Sequence, residues 1–544
     1  MSAAVSTGTS SYLRHLPPVL AEQAAEGALP LGSLLAVVEK LLTGIDDGVA
    51  TSRPPIAEQI ARLHRTLDPW TTPTAFLPWL ASWVALTFPT VQGEDVWDEY
   101  QRRTVTASMT RIHRLRGRKA GLNAYVDLYA VGHVRPRVAL DDGSRVLVVA
   151  PHGERPAPVT GLVTTGPVLA GTTVRLGGVT RPWCLAVAPD GSIVLGDLPA
   201  PSGVPVQLPS RIWRLDATGR PDVEGTPPVP VPLTAGTLPL TRVVALAVRP
   251  ATAAAPDTLY AVDRNGRIYA VPAPWRAATA SLLVDLAAGG ARIAPVAMVV
   301  DPAGGDLLVL DRGGTSAANP PRVVTIRPGP GAPTVTSNPL PQLTEALSLA
   351  VLPDGSLLIG DGGDQRPGSA RTANLIRVDR GAGWTTRAVL PASNDLIAPT
   401  GIARTARGGL FVLDAGLRPF TPSAINPFIC SDAEPAIVHE VDLASGKLTA
   451  VSEPGQLVYP TGMTAAGDRL LICDPGQPEV AGLQPFWSRV RPFVFDVVVH
   501  FTESRLPTDP TARQRVLRQT IGTVRSIIEA QKPAHTVWNL VTSI

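Results

Sequence analysis

The sequence is poor in several residue types whose presence would have named a chemistry. Its 544 residues include only three cysteines, Cys184, Cys430 and Cys473, far apart in the chain. They cannot form a disulfide framework, and no CxxC pair points to zinc. A reducing compartment is the simplest reading. The eight histidines are scattered without metal-ligand spacing. Charged residues make up 17%, with 48 basic against 45 acidic side chains and a net charge of +3. That balance lacks the basic excess expected of a polyanion-binding chain and sets nucleic acid aside as a partner. No apolar run approaches the roughly 18 residues of a membrane span. The opening MSAAVSTGTSSYLRHLPP lacks a signal peptide's apolar centre, so synthesis in the cytoplasm is expected. HExxH, GxSxG, a P-loop and a GxGxxG after a strand are all missing. No catalytic, cofactor-binding or metal-binding residue is therefore assigned, and the chain is not expected to be an enzyme.

Proline and glycine are abundant, at 56 and 49 residues, and 44% of the chain is hydrophobic. That hydrophobic content excludes general disorder. So many helix breakers disfavour a mainly helical protein and favour short strands joined by turns. The length predicts two to four domains.

The first 130 residues read differently. Leu31, Leu34, Leu35, Val38, Leu41, Leu42 and Ile45 predict an amphipathic helix that buries this stripe and ends near Gly48. Pro54-Pro55 opens a second helix with Ile56, Ile60, Leu63 and Leu67 on one face. Thr72-Pro73 reads as an N-cap and first-turn proline for a third segment. Trp70, Trp79 and Trp83 read as a compact aromatic core, with a ligand platform as the lesser reading. Further helices are predicted over about 96–115 and 119–129, punctuated by Gly117 and Gly121. Arg102, Arg103, Arg111, Arg114, Arg116, Arg118 and Lys119 make this stretch basic. A solvated helix face and an acidic protein partner both fit it; nucleic acid fits the overall charge poorly.

From about residue 180 one unit recurs: an apolar strand, a turn, a second apolar strand ending in aspartate, then a third strand. WCLAVAPDGSIVLGD and LSLAVLPDGSLLIGD are examples. The closing aspartates are Asp197, Asp263, Asp311, Asp361, Asp414 and Asp474, spaced 66, 48, 50, 53 and 60 apart. A fifty-residue period of short strands predicts a β-propeller of six blades, similar to NHL-type propellers. The sixth unit has no visible outer strand. Its completion is expected from around Arg145–Val149 or from just after Asp474. The aspartates are expected to hold loose backbone N–H groups rather than a channel metal, and Asp361-Gly362-Gly363-Asp364 is at most a weak calcium loop. The last sixty residues read as a strand (492–501), a helix after Asp509-Pro510 ended by Lys532-Pro533, and a short final strand.

YLRHLPPVL, LLTGIDDGV, LDPWTTPTAFLPWLASWVAL and IHRLRGRKAGLNAYVDLY, with VVVHF…IIEAQKPAHTVWNL at the other end, resemble the phage tail protein I family. That family is a baseplate wedge subunit of contractile phage tails and phage-tail-like injection systems. The resemblance implies a multidomain α + β chain: a helical tail-protein domain (1–135), a β-rich linker (136–180), an inserted propeller (181–485) and a C-terminal part completing the tail domain (486–544). It implies a structural role in a particle that is assembled in the cytoplasm and stays there or is released. The implied partners are other wedge proteins, sheath-initiating and hub or spike components, in several copies around a six-fold particle. The docking body would comprise the Trp70, Trp79 and Trp83 helices with Pro533 and His535, and the basic stretch would be its polar interface. The propeller would bind a surface or a neighbouring subunit. The competing reading is a propeller enzyme or carbohydrate-binding protein with helical appendages.

Overall fold

The computed structural model describes residues 10–25, 31–44, 53–88, 90–91, 94–95, 97–129, 134–141, 145–149, 160–164, 182–197, 210–216, 223–224, 229–230, 240, 242–253, 255–276, 279–314, 319–329, 331–364, 372–419, 430–452, 457–476 and 493–543. The chain divides into two compact units, Met1–Arg114 and Leu115–Ile544.

The first unit is helical. It contains α1 (Pro18–Ala25), α2 (Leu31–Leu42), α3 (Ile56–Ala61), α4 (Leu63–Thr66), α5 (Leu77–Trp83) and α6 (Glu99–His113). Helix α2 ends at Leu42 rather than near Gly48, because Gly44 adopts φ +88° and folds its amide back onto the Glu39 carbonyl at 3.0 Å. Its apolar stripe is not buried either. Leu34, Val38, Leu41 and Leu42 are exposed and Ile45 lies outside the described residues, while Glu39 points inward and accepts from the Ser10 hydroxyl (2.5 Å) and the Ser11 amide (2.7 Å). The second predicted helix is broken at Arg62 into α3 and α4, and Ile56, Ile60 and Leu63 are likewise exposed. Thr72 is not the predicted cap. The chain instead enters a 3-10 turn at Thr74–Phe76 that has no side-chain cap. Helix α6 starts with a capping box: the Asp98 carboxylate accepts from the Gln101 amide at 2.7 Å, and the Gln101 side chain returns the bond at 3.0 Å.

The second unit opens with α7 (Lys119–Tyr129) and strand β1 (Arg137–Asp141). Gly121 is obligatory in α7, since a Cβ there would lie 2.2 Å from the Leu115 carbonyl oxygen. Six antiparallel sheets of three or four strands follow among the described residues, with two two-stranded ribbons beside them. Blade one holds Pro182–Val187, Ile193–Asp197 and Arg211–Leu215. Blades two to five have four strands each, starting at Val243–Arg249, Pro295–Val300, Ala346–Val351 and Pro399–Arg404. The sixth sheet joins β2 (Arg145–Val149) and β3 (Thr160–Thr164) to β4 (Gly462–Ala466) and β5 (Arg469–Asp474), in the order β4-β5-β2-β3. The first strand of each sheet contacts that of the next, and the sixth returns to the first. This closed cycle makes a six-bladed β-propeller. The strand that completes the last blade beside Arg469–Asp474 is Arg145–Val149, the first of the two alternatives, with Thr160–Thr164 outermost.

Adjacent sheets bury their facing side chains in separate clusters. Leu185, Leu195, Trp213, Leu471 and Cys473 fill the seam where blades one and six meet. Each fully buried leucine or valine contributes roughly 1.5–3 kcal/mol, so the ring holds together through its seams. Each of blades two to five also gains a fourth, outer strand that the sequence pattern did not show, such as Thr334–Pro339 and Thr385–Ala388.

After the propeller come β6 (Val494–His500), α8 (Pro510–Gln531) and β7 (Val537–Ser543). Strand β6 is central, antiparallel to β1 and parallel to β7. Helix α7 packs on α8 and on β1. Asp509 caps α8 by accepting from Ala512 N at 2.7 Å, and Leu517, Val524, Ile527 and Ile528 form its buried face. The propeller is thus inserted between β1 and β6, neighbours in one ladder. Asp141, where the chain leaves for the propeller, lies opposite Asp496. Juxtaposed ends are what an insertion requires if both parts are to fold.

Candidate docking surface

Helix α5 decides where the tryptophans point. Leu77, Leu80 and Ala81 recur at helical spacing and are buried in the first unit, where α5 packs on α6 with its buried Val105, Met109 and Ile112. Phe76, Trp79 and Trp83 therefore fall on the opposite side. Their rings form a ladder, with Phe76 to Trp79 and Trp79 to Trp83 centroid separations of 4.3 Å each. Trp79 is 42% exposed and Trp83 61%. Trp70 is 48% exposed and pairs with Tyr100 at 5.6 Å. The compact aromatic core read from the sequence is thus overturned: the inward face of a seven-residue helix is already filled by leucine and alanine. Phe76 and Tyr100 were missed as members of this surface. Phe76 lies three residues before Trp79, a spacing that would have found it.

The basic residues take different places. Arg103 is a staple within the unit. Its guanidinium donates to the carbonyls of Pro69 (2.6 Å) and Thr72 (2.9 Å) and to Glu99 (2.9 Å from Nε). The Glu99 carboxyl is held below its usual range chiefly by this hydrogen bond. Arg102 donates to the Trp97 carbonyl at 2.9 Å and covers the Phe88 ring at 5.7 Å. Arg111 and Arg114 are exposed on the first unit. Arg116 and Arg118 are exposed on the second, where Lys119 is half-buried. In the second unit the Pro533 carbonyl accepts from Thr536 N (3.0 Å), and exposed His535 meets Phe493 edge to face at 5.2 Å.

The blade aspartates have a positive structural role. Asp414 accepts from the amides of Ile397 (2.9 Å), Ala398 (2.8 Å) and Gly416 (2.9 Å). Asp474 does the same with Val458, Tyr459 and Gly476, and Asp361 with Thr344, Glu345 and Gly363. Each carboxylate ties the start of one strand to the turn after the next.

Residues 43–137 match the family model described as Phage tail protein (Tail_P2_I). The matched span holds the tryptophan ladder, α6 and α7; the C-terminal block of similar sequence lies outside it. No curated protein matches the chain. Among solved structures, a gluconolactonase from Xanthomonas campestris is 17% identical, with 62% of this chain and 97% of that chain covered and a TM-score of 0.37. A luciferin-regenerating enzyme is 12% identical, covering 58% and 90%, at a TM-score of 0.37. A PQQ-bound aldose sugar dehydrogenase from Streptomyces coelicolor is 14% identical, covering 56% and 92%, at 0.35. Among the described residues, no helix is long and apolar enough to cross a membrane.

Proposed function

We propose that the chain is a structural component of a phage tail or phage-tail-like contractile particle, placed in the baseplate wedge. The family match over residues 43–137 carries this reading. The ladder of half-buried Phe76 and exposed Trp79 and Trp83 supports it physically. Indole rings left open to water are what a subunit keeps for a neighbour, and burying each contributes about 2 kcal/mol. Trp70 with Tyr100 extends the surface, and the exposed arginines Arg111 and Arg114 supply polar contacts at an interface rim. Other wedge proteins and sheath-initiating and hub components are the partners, in several copies around a six-fold particle. The propeller, inserted between β1 and β6, is the module that binds a surface or a neighbouring subunit. A triggering signal would act by changing which wedge interfaces are made. One form of the enzyme reading places the blade aspartates at a channel metal; the Asp414 and Asp474 carboxylates are engaged by backbone amides, which favours the structural reading of these residues.

The test is co-expression with the neighbouring tail genes and isolation of the wedge complex. Trp79→Ser with Trp83→Ser should remove the chain from that complex while leaving its thermal unfolding unchanged. Normal incorporation of this variant would overturn the assignment of the docking surface.

A further inference from the structure

One face of the propeller is divided between two uses. The second strand of every blade ends there in its aspartate, which on blades one to five lies directly across from the residue opening the first strand, as in Asp263 with Val243 and Asp414 with Pro399. On blades five and six this face is covered. Arg137 of β1 donates to the carbonyls of Ala415, which follows Asp414, and of Val458, whose amide Asp474 holds. Ala139, Val498 and half-buried Val541 pack on Val458 at the same place.

On blades two and three the equivalent positions carry arginine. Arg264 follows Asp263 as Ala415 follows Asp414, and its amide donates to the Arg242 carbonyl at 2.8 Å. Arg312 follows Asp311. Arg322 reaches the Arg292 carbonyl at 2.9 Å. Blades two and three touch here, since a Cβ on Gly266 would come within 2.6 Å of Ile293. The arc continues to blade one, where the Arg242 guanidinium lies 5.1 Å above the Trp183 ring. Asp311 offsets Arg322 at 2.7 Å and Glu345 offsets Arg312 at 2.8 Å. Arg264 and Arg292 are exposed and make no ion pair among the described residues.

We propose that this arginine arc binds an anionic polysaccharide, through carboxylates or phosphates repeated along the polymer. Guanidinium groups match both anions in a planar, two-pronged geometry. Among the described residues the arc presents no large exposed apolar side chain; on the propeller those are Leu282 and Val335, both on outer strands. A folded protein partner would call for such anchors, and a single-stranded nucleic acid would call for several stacking rings. Charge spread over a rigid face without anchors suits a hydrated polyanion.

The test is a binding titration of the full chain with polygalacturonate for carboxylates, polyribitol phosphate for phosphates, neutral dextran and an oligothymidylate. At least one of the two anionic glycans should bind, dextran should not, and affinity should fall about tenfold or more between about 50 and 200 mM salt. Arg264→Glu with Arg292→Glu should weaken binding about tenfold or more with unchanged thermal unfolding, and Arg264→Gln with Arg292→Gln should weaken it less. Lys447→Glu, on the outer strand of blade five, should leave it unchanged. Failure of both anionic glycans to bind at low salt, full binding by the double glutamate variant, or tighter binding of the oligothymidylate would overturn the proposal.

Discussion

Asp474 lies directly opposite Arg145 in the antiparallel ladder between β5 and β2, so the residue ending the last blade pairs with a strand that precedes the first. This pairing closes the ring by joining residues more than 300 positions apart. Leu147, opposite Ile472 in the same ladder, is where it is easiest to break. Leu147→Pro removes a ladder donor inside a strand flanked on both sides and should cost about 3 kcal/mol or more. Equilibrium unfolding followed through buried Trp213 should show the loss across the propeller. An unchanged midpoint would mean that β2 does not close the ring.

Arg137 joins the small sheet to the propeller. It is 4% exposed and donates to two carbonyls on different blades, Ala415 at 2.8 Å and Val458. Arg137→Met leaves both carbonyls buried without this donor and should cost about 2–4 kcal/mol by chemical denaturation. Lysine should rescue little, because one ammonium cannot reproduce a two-pronged fork. Nearby, Arg505 pairs with Glu434 at 2.7 Å; this half-exposed bridge should matter less, at under about 1 kcal/mol when removed.

If the blade aspartates act through backbone amides, they act without a metal. Asp414→Ala should destabilise the protein by about 2–3 kcal/mol, since three amides lose a charged acceptor. Treatment with a strong chelator should leave the melting temperature of the unaltered chain where it was. A chelator-dependent melt that Asp361→Asn abolishes would contradict the structural role.

His500, fully buried on β6, is pushed well below its ordinary value by desolvation first and by the Arg137 charge second. The folded state therefore holds it neutral, while the unfolded state takes up a proton below about 6.5, the ordinary value. Stability from this group is full above that pH and is lost as pH falls below it. Melting temperature should drop on acidification from about pH 7 to 5.5, and His500→Gln should flatten the drop. An identical pH slope in the variant would exclude His500 as its source.

The propeller was legible because its period is carried by local features: apolar strands, turn glycines and a closing aspartate at each second strand. Its closure was legible only as two alternatives, since no local pattern specifies a pairing across 300 residues. The outer strands were invisible because sequences such as TVTSNP and TTRA are polar, short and exposed on a sheet edge. In the helical unit, spacing found the helices but misjudged their faces. Glu39 turns inward through two serines at residues 10 and 11, far away in sequence, and the tryptophans turn outward because Leu77, Leu80 and Ala81 fill the packed side. Arg137 had no signal at all: one arginine in RVALD looks like any edge-strand cation until its two carbonyl partners are seen.

The most direct measurement is isolation of tail-like particles from cells expressing the chain with its neighbouring tail genes, followed by detection of the chain in the particle fraction. The account predicts that the intact chain sediments with sheath and tube proteins, in a multiple of six copies per particle. It also predicts that the Trp79→Ser, Trp83→Ser variant stays behind, folded, in the supernatant. Particles that assemble without the intact chain, leaving all of it in the supernatant, would contradict the account.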